Sequence, residues 1–251
     1  MLKFEAKSLE GYTIKTLSEL LQNIVKVACF KISKEGIFLQ MMDSRELIFL
    51  DIELSAVNFN VFKLQEPIYI GLTSADLYKM LKTVKKKDSL YMYIDNNQPD
   101  NLMIVVYPKD NIRIVKSSVH IQNTQHICIT PPDGYTVPII VPSNEYQRSF
   151  KEVNNINSSV KISMRTYSLS VFCSTDNIYS REILFGEFDD TTPIRFTEEF
   201  DMDQFSRIIK IAGLGKNIKI YGEPGLPLRV STSIGSLGSI NIYIKSKKNS
   251  E

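Results

Sequence analysis

The chain has 251 residues, 43% apolar and 23% charged, with 30 Lys and Arg against 28 Asp and Glu for a formal net charge of +2. That composition supports one large or two small folded domains, and a charge so near neutrality excludes a global attraction to nucleic acid, so any electrostatic function depends on where the charges sit. No run of 18 apolar residues predicts a membrane span, Met1–Glu5 lacks the shape of a signal peptide, and three scattered cysteines (Cys29, Cys128, Cys173) with two histidines (His120, His126) predict a reducing compartment and neither metal nor cofactor.

In chain order, the first apolar stripe at helical spacing runs from Thr13 to about Lys26 (Ile14, Leu17, Leu21, Ile24, Val25). Strand-like runs follow at 36–40 and 47–52. A second helix is predicted from Ser74 to about Val84 (Leu77, Met80, Leu81, Val84), opened by Thr73-Ser74-Ala75-Asp76. Strands at 90–94 and 102–107 come next, then a polar stretch from Ser118 ending in Pro131-Pro132-Asp133-Gly134. A third helix is predicted from about Ser143 to Val153 (Tyr146, Phe150, Val153), after Pro142, and strands at 160–164 and 169–172 follow it. The fourth helix, about Met202 to Ala212 (Phe205, Ile208, Ile209, Ala212), has Asp201 as its cap and is followed by strands at 218–221 and 240–244.

The order repeats. Residues 1–120 and 135–251 each read helix, strands, helix, strands, joined by a connecting loop at 121–134. Leu77-Tyr78-Lys79-Met80-Leu81-Lys82 lies over Phe205-Ser206-Arg207-Ile208-Ile209-Lys210, with the same basic, apolar, apolar, basic pattern. The fold class expected is α+β: two similar subdomains, each with two helices packed on antiparallel sheets.

The polar sides of the helices are unevenly charged, each offering basic residues, with Glu19 and Glu152 the main acidic exceptions away from helix starts. Lys15 lies on the first, Lys79, Lys82 and Lys86 at i, i+3 and i+7 on the second, Arg148 and Lys151 on the third, Arg207 and Lys210 on the fourth. Acidic residues gather at helix starts (Asp76, Glu145, Asp203), where the macrodipole favours them. One such face alone reads as a solvated surface. Four in a duplicated chain point to phosphate contact without base readout. No aromatic residues interleave with these bases, so single-strand stacking is not indicated.

Particular stretches are distinctive. Phe4-Glu5-Ala6, Cys29-Phe30-Lys31-Ile32-Ser33 and Gly36-Ile37-Phe38-Leu39-Gln40-Met41-Met42-Asp43-Ser44 closely resemble the opening of the proliferating cell nuclear antigen family of sliding clamps. Leu72-Thr73-Ser74, Pro142-Ser143-Asn144-Glu145-Tyr146 and Leu226-Pro227-Leu228-Arg229-Val230 are similar to later parts of the same family. The resemblance implies three copies closed head to tail into a ring around duplex DNA, serving as a processivity factor without enzymatic activity. Three copies of four helices give twelve; at roughly 8–10 Å between packed helices the lining would be about 32–38 Å across, against a duplex roughly 20 Å wide.

Position by position, the resemblance places Lys15, Lys79, Lys82, Arg148, Lys151 and Lys210 on the inner wall, while Lys86 and Arg207 join them from helix spacing. It also implies a docking surface for short peptides of DNA polymerase and other partners at Met42, Leu47, Phe49, Gln122, Cys128, Thr130, Pro227 and Tyr243. The implied subunit interface joins edge strands at about 111–119 (Ile112, Ile114, Lys116) and 177–186 (Tyr179, Arg181, Ile183). A clamp loader and a homotrimer are implied partners, and the nucleus or the replication site of a large DNA virus the implied location. The chain departs from the family where Lys245-Ser246-Lys247-Lys248 follows the last strand, and in a connecting loop that is polar and less acidic. A monomeric processivity factor, or one subunit of a checkpoint-like heterotrimeric clamp, remains an alternative. Against an enzyme stand the absence of GxxxxGK[ST], HExxH and GxSxG; Gly213-Leu214-Gly215-Lys216 reads as a helix end, and Asp189-Asp190 as a solvated loop.

Overall fold

A computed structural model describes residues 1–110, 112–124, 129–175, 178–187, 189 and 191–249, the last without its side chain. The elements run β1 (Leu2–Ser8), α1 (Gly11–Gln22), β2 (Val27–Ser33), β3 (Gly36–Met42), β4 (Ile48–Ser55), β5 (Val61–Leu64), β6 (Ile68–Thr73), α2 (Ser74–Leu81), β7 (Ser89–Asp95), β8 (Gln98–Tyr107) and β9 (Val115–His120). They continue as β10 (Ile139–Pro142), α3 (Ser143–Asn154), β11 (Ser159–Met164), β12 (Ser168–Thr175), β13 (Tyr179–Gly186), β14 (Phe196–Asp201), α4 (Met202–Ile208), β15 (Asn217–Tyr221), β16 (Leu228–Ile234) and β17 (Gly238–Ile244). No helix among the described residues is long and apolar enough to cross a membrane.

Two compact units emerge, and the chain weaves between them. The first comprises Met1–Met41, Leu50–Ile129 and Ser233–Ile240; the second comprises Met42–Phe49, Thr130–Thr232 and Asn241–Glu251.

Their strand orders correspond. The first half of the chain contains the runs β1-β7-β8-β9 and β6-β2-β3-β4; the second half contains β10-β15-β16-β17 and β14-β11-β12-β13. Each strand has a counterpart at the same place in the chain order, except β5, which adds to the free side of β1. Smaller details repeat as well. The first amide of α2 (Ser74) donates to the carbonyl of Lys26, the residue before β2, at 2.9 Å. The first amide of α4 (Met202) donates to Ser158, the residue before β11, at 2.7 Å. The fold is α+β with two similar halves.

Each half buries an apolar helix face on a sheet. Period-two alternation turns Leu90, Met92 and Ile94 of β7 inward, and Val160, Ile162 and Met164 of β11 likewise. In the first unit α1 packs on α2, burying Ile14, Leu17, Leu20 and Leu21 with Leu77 and Leu81. In the second, α3 packs on α4. Phe150 stacks on Phe205 at 4.5 Å, and Tyr146 lies 4.7 Å from Phe150. Fully burying such a ring stabilises by roughly 1.5–3 kcal/mol.

Helix ends differ from the apolar spacing. α1 starts at Gly11, where a Cβ would meet the Asp88 carbonyl at 2.8 Å. It stops at Gln22 because the Asn23 and Ile24 amides turn back to Leu20 and Leu21; Ile24 and Val25 stay buried in that turn. α2 stops at Leu81: the Val84 amide closes onto Leu81, and the Asp88 carboxylate takes the Lys85 amide at 2.9 Å. Lys86 therefore lies past the helix and shares no helical face with Lys79 and Lys82. The fourth helix tightens after Ile208 into a 3-10 turn, Ile209–Gly213, which carries Lys210.

Caps also differ. Gln204 accepts the Asp201 amide at 3.1 Å, completing a capping box at α4. Ser143 caps nothing; its amide and hydroxyl bond the Lys216 and Gly215 carbonyls at 3.0 and 2.6 Å. Gly213–Lys216 is thus a helix end that anchors the start of α3.

Candidate nucleic-acid and docking surfaces

The basic residues fall into two groups. Lys79 and Lys82 of α2's end and Lys151 of α3 are exposed, and among the described residues no carboxylate pairs with them. Lys15 is half-buried, its ammonium 4.8 Å from the Tyr12 ring centre. Lys210 is half-buried in its 3-10 turn. Arg148 is exposed but held by Glu152 one turn on, at 2.9 Å, and Arg181 of β13 reaches the same carboxylate at 3.2 Å.

Arg207 does not occupy the exposed position that its spacing predicts. Its side chain is 17% exposed and donates at 2.6 Å to Asp43, whose side chain is wholly buried. The other Asp43 oxygen accepts the Leu47 and Ile48 amides at 2.8 and 2.9 Å. Burial pushes the Asp43 carboxyl up, but the Ile48 amide, the Arg207 guanidinium and the Leu47 amide outweigh it and hold it below the usual carboxylate range. Arg45, in the same loop, binds Asp203 of α4. Two arginine–aspartate pairs thus tie the loop at 43–47 to α4. No sequence pattern marks a pair 164 residues apart.

A basic cleft that helix spacing does not predict opens in the first unit. Lys79, Lys85, Lys86, Lys87, Lys109 and Arg113 line a space of about 1010 Å³ beyond the end of α2. Lys86 thus sits among bases, though not on the helix. The signal is present in the Lys85-Lys86-Lys87 run, but only the pairing of β7 with β8 and β8 with β9 brings Lys109 and Arg113 beside it.

The residues expected to dock peptides divide between the units. Met42, Leu47, Phe49, Thr130, Pro227 and Tyr243 belong to the second. Gln122 belongs to the first, where it bridges Gly71 of β6 (2.8 and 3.2 Å) and donates to Thr73 at 2.9 Å. Cys128 lies outside the described residues. Met42 is exposed and Leu47 half-buried, whereas Phe49 and Tyr243 are buried against each other, with ring centres 5.5 Å apart.

That stack borders a larger polar-aromatic face. Tyr221 and Arg229 are cross-strand partners on β15 and β16, and Asn241 and Tyr243 alternate onto the same face of β17. The Arg229 guanidinium lies 4.7 Å from the Tyr221 ring centre, 5.6 Å from Tyr135 and 5.9 Å from Tyr243. The Tyr135 hydroxyl donates to the Pro227 carbonyl at 2.8 Å; burial pushes it far above the usual phenol range.

Both strands expected at the subunit contact end their sheets, β9 beside β8 and β13 beside β12. β9 starts only at Val115, so Ile112 (83% exposed) and Ile114 (51%) precede it in a loop, and Lys116 alone of the three lies on the strand. On β13, Tyr179 and Arg181 are exposed and Ile183 is half-buried. The Asp189 carboxylate is taken up by Thr191 and Thr192, and Asp190 lies outside the described residues.

Residues 3–126 match the family model for the proliferating cell nuclear antigen N-terminal domain. Over 97% of its length the chain is 26% identical to the proliferating cell nuclear antigen of Dictyostelium discoideum, covering 99% of that protein, and 23% identical to that of Caenorhabditis elegans, again with 97% of each covered. It is 19% identical, over 96% of its length and 95% of the relative's, to a probable DNA polymerase sliding clamp of Paramecium bursaria Chlorella virus 1.

Proposed function

Because the chain belongs to the proliferating cell nuclear antigen family of sliding clamps, we propose that it acts as a homotrimeric ring that encloses duplex DNA and tethers a DNA polymerase. The ring holds DNA topologically; exposed, mobile lysines touch phosphates without favouring any sequence. Lys79, Lys82 and Lys151 carry most of that contact, with Lys15, Arg148 and Lys210 beside them, while Arg207 is committed internally. Partner peptides dock on the second unit around Met42, Leu47, Pro227 and the Phe49–Tyr243 stack. The clamp works where DNA is replicated, in a nucleus or at a viral replication site, and a clamp loader opens it.

The observation that carries the oligomer is β13. It is an eight-residue end strand, exposed along most of its length, with Tyr179 and Leu184 at 51% and 44% exposure. Such an edge is a template for pairing with another chain, and β9 offers a second edge. A contact between two different edges is heterologous and closes a ring when the rotation suits.

Light scattering on the purified chain tests the assembly. A homotrimer has three times 28.7 kDa, about 86 kDa; a lone 28.7 kDa species at micromolar concentration would favour the monomeric processivity factor. The topological link is tested with loaded protein, which stays on closed circular DNA and runs off linear DNA with free ends. Equal retention on both removes the ring mechanism.

A further inference from the structure

Arg229 stands out among the half-buried charges of the second unit. The nearby Arg195 has Glu223 at 3.2 Å, and Arg207 has Asp43. Arg229 has none: among the described residues no carboxylate meets it. Its Nε and one terminal nitrogen both donate to the Asn241 side-chain oxygen, at 3.2 and 2.8 Å, which is a neutral partner. Three tyrosine rings surround it. Cation–π contact recovers part of the hydration lost there, but a partly desolvated cation without a counter-charge is a cost that a folded chain usually removes.

The surroundings hold this group in place. Asn241 fixes the guanidinium plane from one edge, and Tyr221 covers a face of it. The second terminal nitrogen has no hydrogen bond among the described residues. A planar fork held in this way suits a carboxylate, which it can meet with paired hydrogen bonds, and little of the ordering entropy remains to be lost on binding. Its location is equally specific. Tyr243 contacts Arg229 on one side and stacks on Phe49 on the other, and Pro227, two residues before Arg229, takes the Tyr135 hydroxyl. The uncompensated charge therefore borders the apolar docking residues of the same unit.

We propose that Arg229 is the charge-reading point of the docking surface, and that the peptides this protein accepts carry an acidic side chain beside the aromatic or apolar residues that meet Met42, Leu47 and Pro227. The inference rests on the docking role given to this surface above. The apolar docking residues supply affinity, and the Arg229 fork discriminates among peptides of similar apolar shape.

Fluorescence anisotropy with the full chain tests it. Labelled synthetic peptides with one shared set of aromatic and apolar residues carry Glu or Gln at each flanking position in turn. At one position the Glu peptide should bind about tenfold more tightly than its Gln twin, and this ratio should fall toward one as salt rises from about 0.05 to about 0.5 M, because the pair is partly screened. Arg229→Gln should bring the Glu-to-Gln ratio to one, whatever it does to the common affinity of the two peptides, a result a merely structural role would not give. The salt series on the unmodified protein keeps the test decisive should that variant fold poorly. Equal binding of every Glu and Gln pair, or a ratio that survives both salt and Arg229→Gln, overturns the role of Arg229 and leaves the docking surface standing. If no peptide of either kind binds, the docking surface itself is wrong and this inference goes with it.

Discussion

Replacing Asp43 by Asn keeps the side-chain oxygen that accepts the Leu47 and Ile48 amides and converts the oxygen facing Arg207 into an N–H donor. One charge-assisted bond of 2.6 Å is removed, and a guanidinium only 17% exposed is left facing another donor. A hydrogen bond to a charged group contributes about 1.5–3 kcal/mol, and breaking a pair of which one side is buried brings the expected loss to about 3 kcal/mol. Urea unfolding of the full chain, followed by circular dichroism since there is no Trp, should show that loss in the transition of the second unit. The double mutant with Arg207→Gln should be less destabilised than the sum of the two singles, by about 1–2 kcal/mol. The pH dependence has a definite sign. The folded Asp43 pKa lies below its ordinary 3.8, so the stabilisation is complete above 3.8 and is lost as pH falls through the depressed folded value. A stability unchanged within about 0.5 kcal/mol, or strictly additive single mutants, would refute the view that this pair holds the loop at 43–47 to α4.

Other predictions follow from the same geometry. Changing Lys79, Lys82 and Lys151 together to Gln removes nine lysines from a homotrimer and should lower the slope of log affinity for DNA against log salt by up to about 8, at about 0.9 for each phosphate no longer neutralised; Arg207→Gln should leave that slope unchanged, and a slope unaffected by the triple change would show that those lysines do not face DNA. Gly71→Val should release the start of the connecting segment from β6, because a Cβ at residue 71 would fall 2.4 Å from the Thr124 side chain; hydrogen exchange at the Gln122 amide should accelerate, and an unchanged rate would contradict the bridge. Glu10→Gln should cost stability at neutral pH and little in acid. Burial raises the Glu10 pKa, but bonds from the Ser236 hydroxyl and amide and from Thr13 bring it below 4.5, so its contribution is present above 4.5 and lost as pH falls through the folded value; melts from neutral to acid pH that parallel the parent would contradict this.

The repeated helix–strand order is legible because each helix carries an apolar stripe that a sheet must cover, and Tyr146, Phe150 and Val153 on α3 are all fully buried. Helix ends are less legible. The apolar spacing through Ile24 and Val25 continues past the end of α1, since a buried turn needs apolar residues as much as a helix does. The same effect at Val84 carries the predicted second helix too far and puts Lys86 on a face it does not occupy. β5 and β10, at four residues each, are too short to show a period. Arg207 cannot be classified from its helix alone. At i and i+3 with Lys210 it matches a solvated face; only the loop at 43–47, brought beside α4, turns it inward. Arg229 carries no signature in the sequence because its significance lies in which rings surround it, and these come from separate strands and loops.

The first unit includes Ser233–Ile240. The Ser55 amide and the Asn58 side chain both donate to the Leu237 carbonyl, at 3.0 and 3.1 Å, Leu237 itself is fully buried, and Glu10 accepts the Ser236 amide at 2.9 Å. During synthesis at roughly 5–20 residues per second, Leu237 is made about 5–20 s after Ile129. The first unit is therefore completed only when Ser233–Ile240 has been made, about a hundred residues after the rest of it. A chain cut short between residues 129 and 232 would lack the segment whose Leu237 carbonyl accepts the Ser55 amide and the Asn58 side chain.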